Sequence, residues 1–547
     1  MMSISSKFLD SKIDTFAKIV AVLIFLQALF FSIFVTPLAD IPDESGHFAY
    51  VMDITKGRPL PILGKTDNER GYIPSNIWWN WEEQKSSNKR LNYIVQHPPF
   101  YYFIASIPYS ISKTITSDKK IHAHATRIVS AASLGLLVLV IFKILTAVNV
   151  PKPSAILIST WPALLPMSTH LGSGITNDIF LTLLCGLATL YLVKFLLSQN
   201  IQFAYYCALW LALAGATKMT AWIFIGAALV VIAFELRHTF KSWMKHTLLI
   251  YLISLSTPFY WMFRNLKLHG DPFKIFIDSH ALKPTNIGFL DFFQQQPFVD
   301  WLFKHTYSLH GFTGYCSSAK TPEIVKNFCI GLKMETIQSG PSMIIFIIFT
   351  TTVGGAILLN SWMNSITHQH ANPRQHKHNS IQSWFSNKIN SLIQNGKILN
   401  SMITLVSVFA MLYFFANGFK LSGIYSNYTY ISASFILGAT VFSIKSIFFN
   451  SDSIQRISSY GIVLLTTFTF FLFLKAHEAY SITSVTHGIQ GRYLFPYIPF
   501  FIASIGIAFK NFKYGGMSIT LITILLAFSH LNSYLNTFIP FFNSVRL

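Results

Sequence analysis

The chain has 547 residues, of which 52% are hydrophobic, 16% aromatic and only 11% charged. Soluble domains carry roughly 25% charged residues, so a water-soluble globular protein is excluded. The net charge of +20 would suggest nucleic acid in a soluble chain. Here no basic cluster accompanies a nucleic-acid-binding signature, and cytoplasmic loops of membrane proteins collect Lys and Arg.

Apolar runs of about 20 residues recur along the chain, the length that crosses a ~30 Å hydrocarbon core at 1.5 Å per residue. Lys7, Lys12 and Lys18 precede or enter the first run, which places the N-terminus in the cytoplasm. That run, about 17–38, lacks a small-residue cleavage site and reads as a retained helix. An external segment follows from 39 to about 120. It opens with Ile41-Pro42-Asp43-Glu44-Ser45-Gly46-His47 and carries the Trp-rich turn Trp78-Trp79-Asn80-Trp81. His97-Pro98-Pro99-Phe100-Tyr101-Tyr102 begins an apolar run to about Ile115, which is short, contains Pro108 and reads as a helix lying at the outer interface.

Spans are expected at about 122–147 and 153–172, then from Asn177-Asp178 to Lys194. Two more meet near Lys218, and another covers about 246–262. A second external loop follows at 263–340. An eighth span leads to a basic cytoplasmic loop at 360–400, and the last five are expected at about 401–417, 428–447, 457–475, 493–509 and 517–540. The fold class is thus all-α and polytopic, with about thirteen spans and an external C-terminus. Were the His97 run to span, Arg237, Lys241, Lys245 and the Arg374 loop would all lie outside, against the charge rule. The chain divides into a membrane module at 1–359, the basic loop at 360–400 and C-terminal helices at 401–547.

This topology gathers acids and bases at one external face: Asp43, Glu44, His47, His97, Asp178, Lys218, Arg264 and Arg492. Ionisable groups at membrane depth cost roughly 2.5–3.5 kcal/mol on insertion scales, so such a gathering points to function. Taken singly, Asp43 and Asp178 read equally well as helix caps, and Lys218, Arg264 and Arg492 as cations snorkelling to the interface. Together they supply a general base and an anion cradle.

At these residues the chain resembles the GT-C polyprenol-phosphate-dependent glycosyltransferases, which include protein O-mannosyltransferases and lipid A aminoarabinose transferases. The resemblance rests on Pro42-Asp43-Glu44, the His97 to Tyr102 stretch, Arg127, Thr176-Asn177-Asp178 and Thr217-Lys218. Asp43-Glu44-Ser45-Gly46-His47, Arg264-Asn265 with Gly270-Asp271-Pro272, and Gln490-Gly491-Arg492-Tyr493-Leu494-Phe495-Pro496 look closest to a largely uncharacterised bacterial branch. The aminoarabinose transferases carry Lys-Pro where this chain has His97-Pro98.

The resemblance implies a GT-C bundle in the bacterial inner membrane, with interfacial helices in a large first periplasmic loop. It implies transfer of a sugar from a polyprenyl-phosphate donor to a glycan, lipid or protein acceptor, by single displacement. Asp43 would be the base, assisted by Glu44 and Asp178. Lys218, Arg264, Arg492 and His97 would hold the donor phosphate. A divalent ion near Glu44 and His47 or His97 is admitted but not required. Two other readings stay open, a transporter or flippase of lipid-linked sugars and a non-catalytic scaffold. Cys316 and Cys329 share the second external loop, where a disulfide can close. Cys185 and Cys207 fall in apolar runs and read as inert packing residues.

Overall fold

The computed structural model of the chain describes residues 2–57, 60–65, 70–74, 77, 90–237, 240–275, 285–289, 291–292, 298, 302, 306, 341–367, 424–449, 452–483, 490–535 and 539. The expected span at 401–417, nearly all of the basic loop, Trp78, Trp79, Trp81, His487, and the Cys316–Cys329 pairing lie outside the described residues.

Helix α1, Met2–Phe30, ends in a π turn, Phe31–Val35. The first external segment then folds as the short helix α2, Glu44–Thr55, and a two-stranded antiparallel ribbon. Its strands are β1, Tyr72–Ile73, and β2, Arg90–Leu91, with Tyr72 opposite Leu91. A 3-10 turn, Tyr93–Gln96, leads into α3, Phe100–Ile115. At 16 residues, α3 is about 24 Å long, short of the ~30 Å core. Tyr101, Tyr102, Ala105 and Tyr109 face inward, while Phe103, Ile107, Ile111 and Ile115 form an exposed apolar stripe at four-residue spacing. That pattern is the one expected of the interfacial helix after His97.

Helix α4, Lys119–Ala147, starts where the Asp118 carboxylate accepts the Lys120 N–H at 2.8 Å. The single span expected at 153–172 is instead broken into α5, Lys152–Thr160, a 3-10 turn, Pro162–Leu164, and α6, Pro166–Gly172. Proline disfavours helical backbone in the residue before it, and Leu165 is accordingly extended at φ −76, ψ 124 ahead of Pro166. Helix α7 is Asn177–Ser198; α8, Ile201–Gly215, and α9, Ala221–Leu236, follow it. Helix α10, Phe240–His269, outruns the expected 246–262 at both ends. Then come α11, Pro341–Thr367, α12, Ile424–Phe449, and α13, Ser453–Thr483. A 3-10 turn, Gly491–Tyr497, precedes α14, Ile498–Lys510, and α15, Gly515–Ser533, is last.

Among the described residues six helical stretches are long and apolar enough to cross a membrane: Ser11–Val35, Lys119–Ala147, Asn177–Ser198, Ser453–Ile482, Gly491–Lys510 and Gly515–Ser533. Four shorter apolar helices accompany them among the described residues. The chain is a multi-pass membrane protein. Helix α7 is the central span, since 83% of its apolar window is buried against 28% for that of α1. Helices α4, α8 and α14 pack around α7. On α1 the outer side is apolar and bare at Phe16, Ile19, Leu23, Leu26 and Phe30, as is α15 at Met517, Leu521, Ile524 and Phe528. Such surfaces suit lipid rather than water.

Candidate active site

The site is built where α1 leaves the bundle. A π turn closes its hydrogen bonds one residue later than an α-helix does, and here it leaves carbonyl groups unused by the helix. Arg127, on α4 and fully buried, collects them. Its Nη1 donates to the carbonyls of Ser32 at 2.8 Å and Thr36 at 2.9 Å, and its Nη2 to that of Pro37 at 2.7 Å. Its remaining donors grip Glu44, Nε to Oε1 and Nη2 to Oε2, each at 2.7 Å. All five guanidinium N–H groups are thereby satisfied.

Glu44 is saturated as well. Besides Arg127, Oε1 accepts the Ile175 N–H and Oε2 the Ala39 N–H, both at 2.8 Å. A carboxylate with four partners and 1% exposure has no lone pair for substrate or metal. The expectation that Glu44 joins the chemistry is therefore corrected: it ties α2, α4 and the entry of α7 together. Nor do the described residues contain any group of three His, Cys, Asp or Glu able to hold a metal ion. A divalent ion at Glu44 with His47 or His97 does not fit this geometry.

Asp43 is the residue this scaffold presents. It sits at the N-terminus of α2 in the left-handed region, φ 67 and ψ 10, and its side chain makes no capping bond. A non-glycine residue held there is strained. Its carboxylate instead accepts a short hydrogen bond from the Tyr93 hydroxyl and one from Arg492 Nη2 at 3.1 Å. Burial pushes the Asp43 pKa up, but the Arg492 charge and the Tyr93 hydroxyl outweigh it, and the group stays below the usual carboxylate range. The Arg492 charge and the Tyr93 hydroxyl thus favour the ionised form of Asp43.

Asp178 likewise does not serve as the cap of α7. Thr176 does, its hydroxyl accepting the Asp178 N–H at 3.3 Å. The Asp178 carboxylate pairs with Lys218 Nζ at 2.5 Å and lies 3.7 Å from Arg492 Nε. Lys218 occupies the turn between α8 and α9, its Nζ 5.5 Å from the centre of the Tyr493 ring. Arg492 enters on the 3-10 turn before α14, where Gly491 permits close contact: a Cβ there would stand 2.1 Å from the Thr306 backbone nitrogen. Two carboxylates and two cations thus meet, with Arg492 bridging Asp43 and Asp178, the latter 314 positions before it in the chain.

Two histidines edge this cluster. His47 lies one turn beyond Asp43, and its Nδ1 is 2.8 Å from the Tyr102 hydroxyl. Burial lowers its pKa to about 3. His97 ends the 3-10 turn before α3; its Nδ1 is buried without a partner, and burial, followed by the Lys218 charge, holds it well below the ordinary imidazole range. Burial thus disfavours the charged form of both imidazoles.

Arg264 does not join the cluster. It lies on the last turns of α10, its guanidinium 4.5 Å from the Trp261 ring centre and bonded to the Pro61 carbonyl at 2.8 Å. It anchors the first external segment. Sequence reasoning did not single out Tyr93, and it carried Tyr102 and Asn177 only as members of motifs, without a role. Their partners lie 50 or more residues away, and no spacing rule connects them.

An ion-paired acid cluster, with a strained aspartate at its centre, thus lies at one end of a polytopic bundle. Residues 96–261, which include His97, Arg127, Asp178 and Lys218, match the family model described as dolichyl-phosphate-mannose-protein mannosyltransferase. That match covers about three tenths of the chain. Among solved structures it is similar to apo ArnT from Cupriavidus metallidurans, at 13% identity and TM-score 0.31, over 90% of this chain and 76% of that one. ArnT of the same organism bound to undecaprenyl phosphate matches at 12% identity and TM-score 0.30, over 90% of this chain and 77% of that one. The Archaeoglobus fulgidus oligosaccharyltransferase in its apo form matches at 12% identity and TM-score 0.40, over 98% of this chain and 55% of that one. No curated protein matches the chain.

Proposed function

We propose that the chain transfers a sugar from a polyprenyl-phosphate donor to an acceptor of the bacterial cell envelope, on the periplasmic face of the inner membrane. The observation that carries this reading is the convergence of Asp43, Asp178, Lys218 and Arg492, from four distant stretches, on one end of the bundle.

Asp43 is the general base. It is ionised, partly accessible at 32% side-chain exposure, and aimed by Tyr93 and Arg492 rather than spent on capping. It takes the proton of the acceptor hydroxyl as that oxygen attacks the anomeric carbon. The bond from that carbon to the phosphate oxygen breaks on the opposite face, so the anomeric configuration inverts. Lys218 and Arg492 stabilise the charge growing on the departing phosphate, which needs no proton. Asp178 holds both cations in place and sets their positions. A positioned base contributes typically 10²–10⁴-fold.

The periplasmic orientation draws on the charges at the other end of the bundle. Helices α4 and α7 run from Arg127 and Asp178 towards Lys143, Lys152 and Lys194. Lys152 pairs there with Asp14 near the start of α1 at 2.9 Å, and Lys510 donates to the Val148 carbonyl at 2.7 Å. Lysines collect at cytoplasmic ends, which supports a periplasmic acid cluster, although Lys119 and Lys120 open α4 at the other end. The acceptor is an envelope glycan, lipid or protein carrying a hydroxyl or amine.

The test is transfer from a labelled polyprenyl-phosphate sugar by purified protein in lipid. Asp43→Asn is expected to lose about 10²–10⁴-fold of the rate with unchanged thermal unfolding. Near-wild-type turnover by that variant would remove Asp43 from the mechanism.

A further inference from the structure

Behind the charged cluster runs a relay of neutral groups that the mechanism above does not use. Asn177 Nδ2 donates to the Tyr102 hydroxyl oxygen at 3.2 Å, and that hydroxyl lies 2.8 Å from His47 Nδ1. The Tyr102 and His47 rings are stacked, with centroids 5.8 Å apart and planes 18° from parallel. Tyr102 is wholly buried and His47 is 2% exposed. With its oxygen accepting from Asn177, the Tyr102 hydroxyl has its own proton free to give to His47 Nδ1. The imidazole then carries its single proton on Nε2.

Among the described residues Nε2 has no hydrogen-bond partner, while the charges that act on the ring are those of Asp43, Lys218, Asp178 and Arg492. We propose that His47 is a substrate-binding residue that gives one uncharged hydrogen bond, from Nε2, to an oxygen of the sugar-phosphate donor, and that Tyr102 and Asn177 are positioning residues that fix its tautomer. The proposal rests on the glycosyltransferase reading for the identity of the oxygen. A neutral donor suits this place. The two carboxylates and two cations already balance, and an imidazolium would compete with substrate phosphate for Asp43 and Asp178. Nothing in this role needs a metal: Nδ1 is already occupied by Tyr102.

Two measurements test it. The first does not depend on turnover. Full-length protein labelled with ¹⁵N-histidine is examined by NMR in detergent, and the His47 signals are assigned by their loss in His47→Gln. A neutral ring protonated at Nε2 is expected, and Tyr102→Phe should shift the Nδ1 resonance as that nitrogen loses its donor. A proton on Nδ1 would mean that Tyr102 donates to Asn177 instead, and would overturn the proposal, as would a His47 spectrum unmoved by Tyr102→Phe.

The second uses transfer rates. The amide nitrogen of glutamine reaches the place of an imidazole Nε2, whereas that of asparagine reaches only the place of Nδ1. Loss of a hydrogen bond to a charged or partly charged oxygen costs about 10- to 100-fold. His47→Asn should therefore fall below His47→Gln by about that factor; equal rates would sink the proposal. Inhibition by sugar-free polyprenyl phosphate identifies the oxygen: weaker inhibition of His47→Asn than of His47→Gln marks the phosphate, and equal inhibition marks a sugar hydroxyl. Absence of wild-type transfer from any polyprenyl-phosphate sugar would count against the glycosyltransferase reading alone, and the NMR result would still decide the tautomer.

Discussion

Replacing Glu44 with glutamine separates a residue that shapes the site from one that acts on substrate. In the wild-type protein its two oxygens accept four hydrogen bonds, two from Arg127 and one each from Ala39 and Ile175. Glutamine keeps one oxygen and brings one NH₂ group. Whichever way the amide turns, that NH₂ faces two N–H donors, one of them on Arg127. Two bonds are lost, and the guanidinium remains buried at 0% exposure without its counter-charge. Breaking a buried ion pair on one side destabilises by about 3–5 kcal/mol. The assay is thermal unfolding in detergent beside transfer rates of the folded fraction. We expect a clear drop in unfolding temperature, with turnover falling because α2 and Asp43 shift. A variant that unfolds like wild type yet loses 10²–10⁴-fold of its rate would return Glu44 to the chemistry and refute the anchoring role.

Other consequences can be measured. Arg492 is the main influence lowering the Asp43 pKa against burial, so Asp43 contributes stability and base activity above its unfolded pKa of about 3.9, both lost as pH falls through the depressed folded value. Transfer should thus not decline on account of Asp43 between about pH 5 and 8, and Arg492→Gln should move the acidic limb of the residual rate upward; an unmoved limb would disconnect the two residues. Lys218→Met strands the buried Asp178 carboxylate and should destabilise by about 3–5 kcal/mol, most of it recovered by adding Asp178→Asn, as unfolding of the single and double variants will tell. Cysteines placed at positions 97 and 492 of a cysteine-free protein should both react with an impermeant thiol reagent in intact spheroplasts; labelling of only one would break the shared external face.

The outline of the membrane bundle was legible because long apolar runs and Pro-interrupted short ones have a direct length meaning. The break before Pro166 was legible too, had the restriction that proline places on the preceding Leu165 been given its weight. The roles of the two acids were not. Asp43 and Glu44 are neighbours of equal chemistry, and only folding separates them. The left-handed backbone at Asp43 turns one side chain towards Arg492, while Glu44 meets an arginine 83 residues away. Capping and catalysis likewise look alike at Asp178 until Thr176 is seen to hold the cap. Arg264 was ambiguous between snorkelling and phosphate binding, and Trp261 with the Pro61 carbonyl decides for neither, giving it an anchoring place.

The π turn at Phe31–Val35 also acts as a length gauge. A π turn holds one residue more than the α-helical turn it interrupts. Deleting a single residue there would let α1 close as a regular helix. The chain beyond would rotate by about 100° and retract by about 1.5 Å. Arg127 would lose the carbonyls of Ser32, Thr36 and Pro37, and Asp43, a few residues downstream, would be swung off Arg492. The surplus residue therefore sets the phase between the membrane helix and the aspartate that follows it. Substitutions on the lipid-facing side of α1 leave the Arg127 contacts in place, whereas a change of length at its end breaks them.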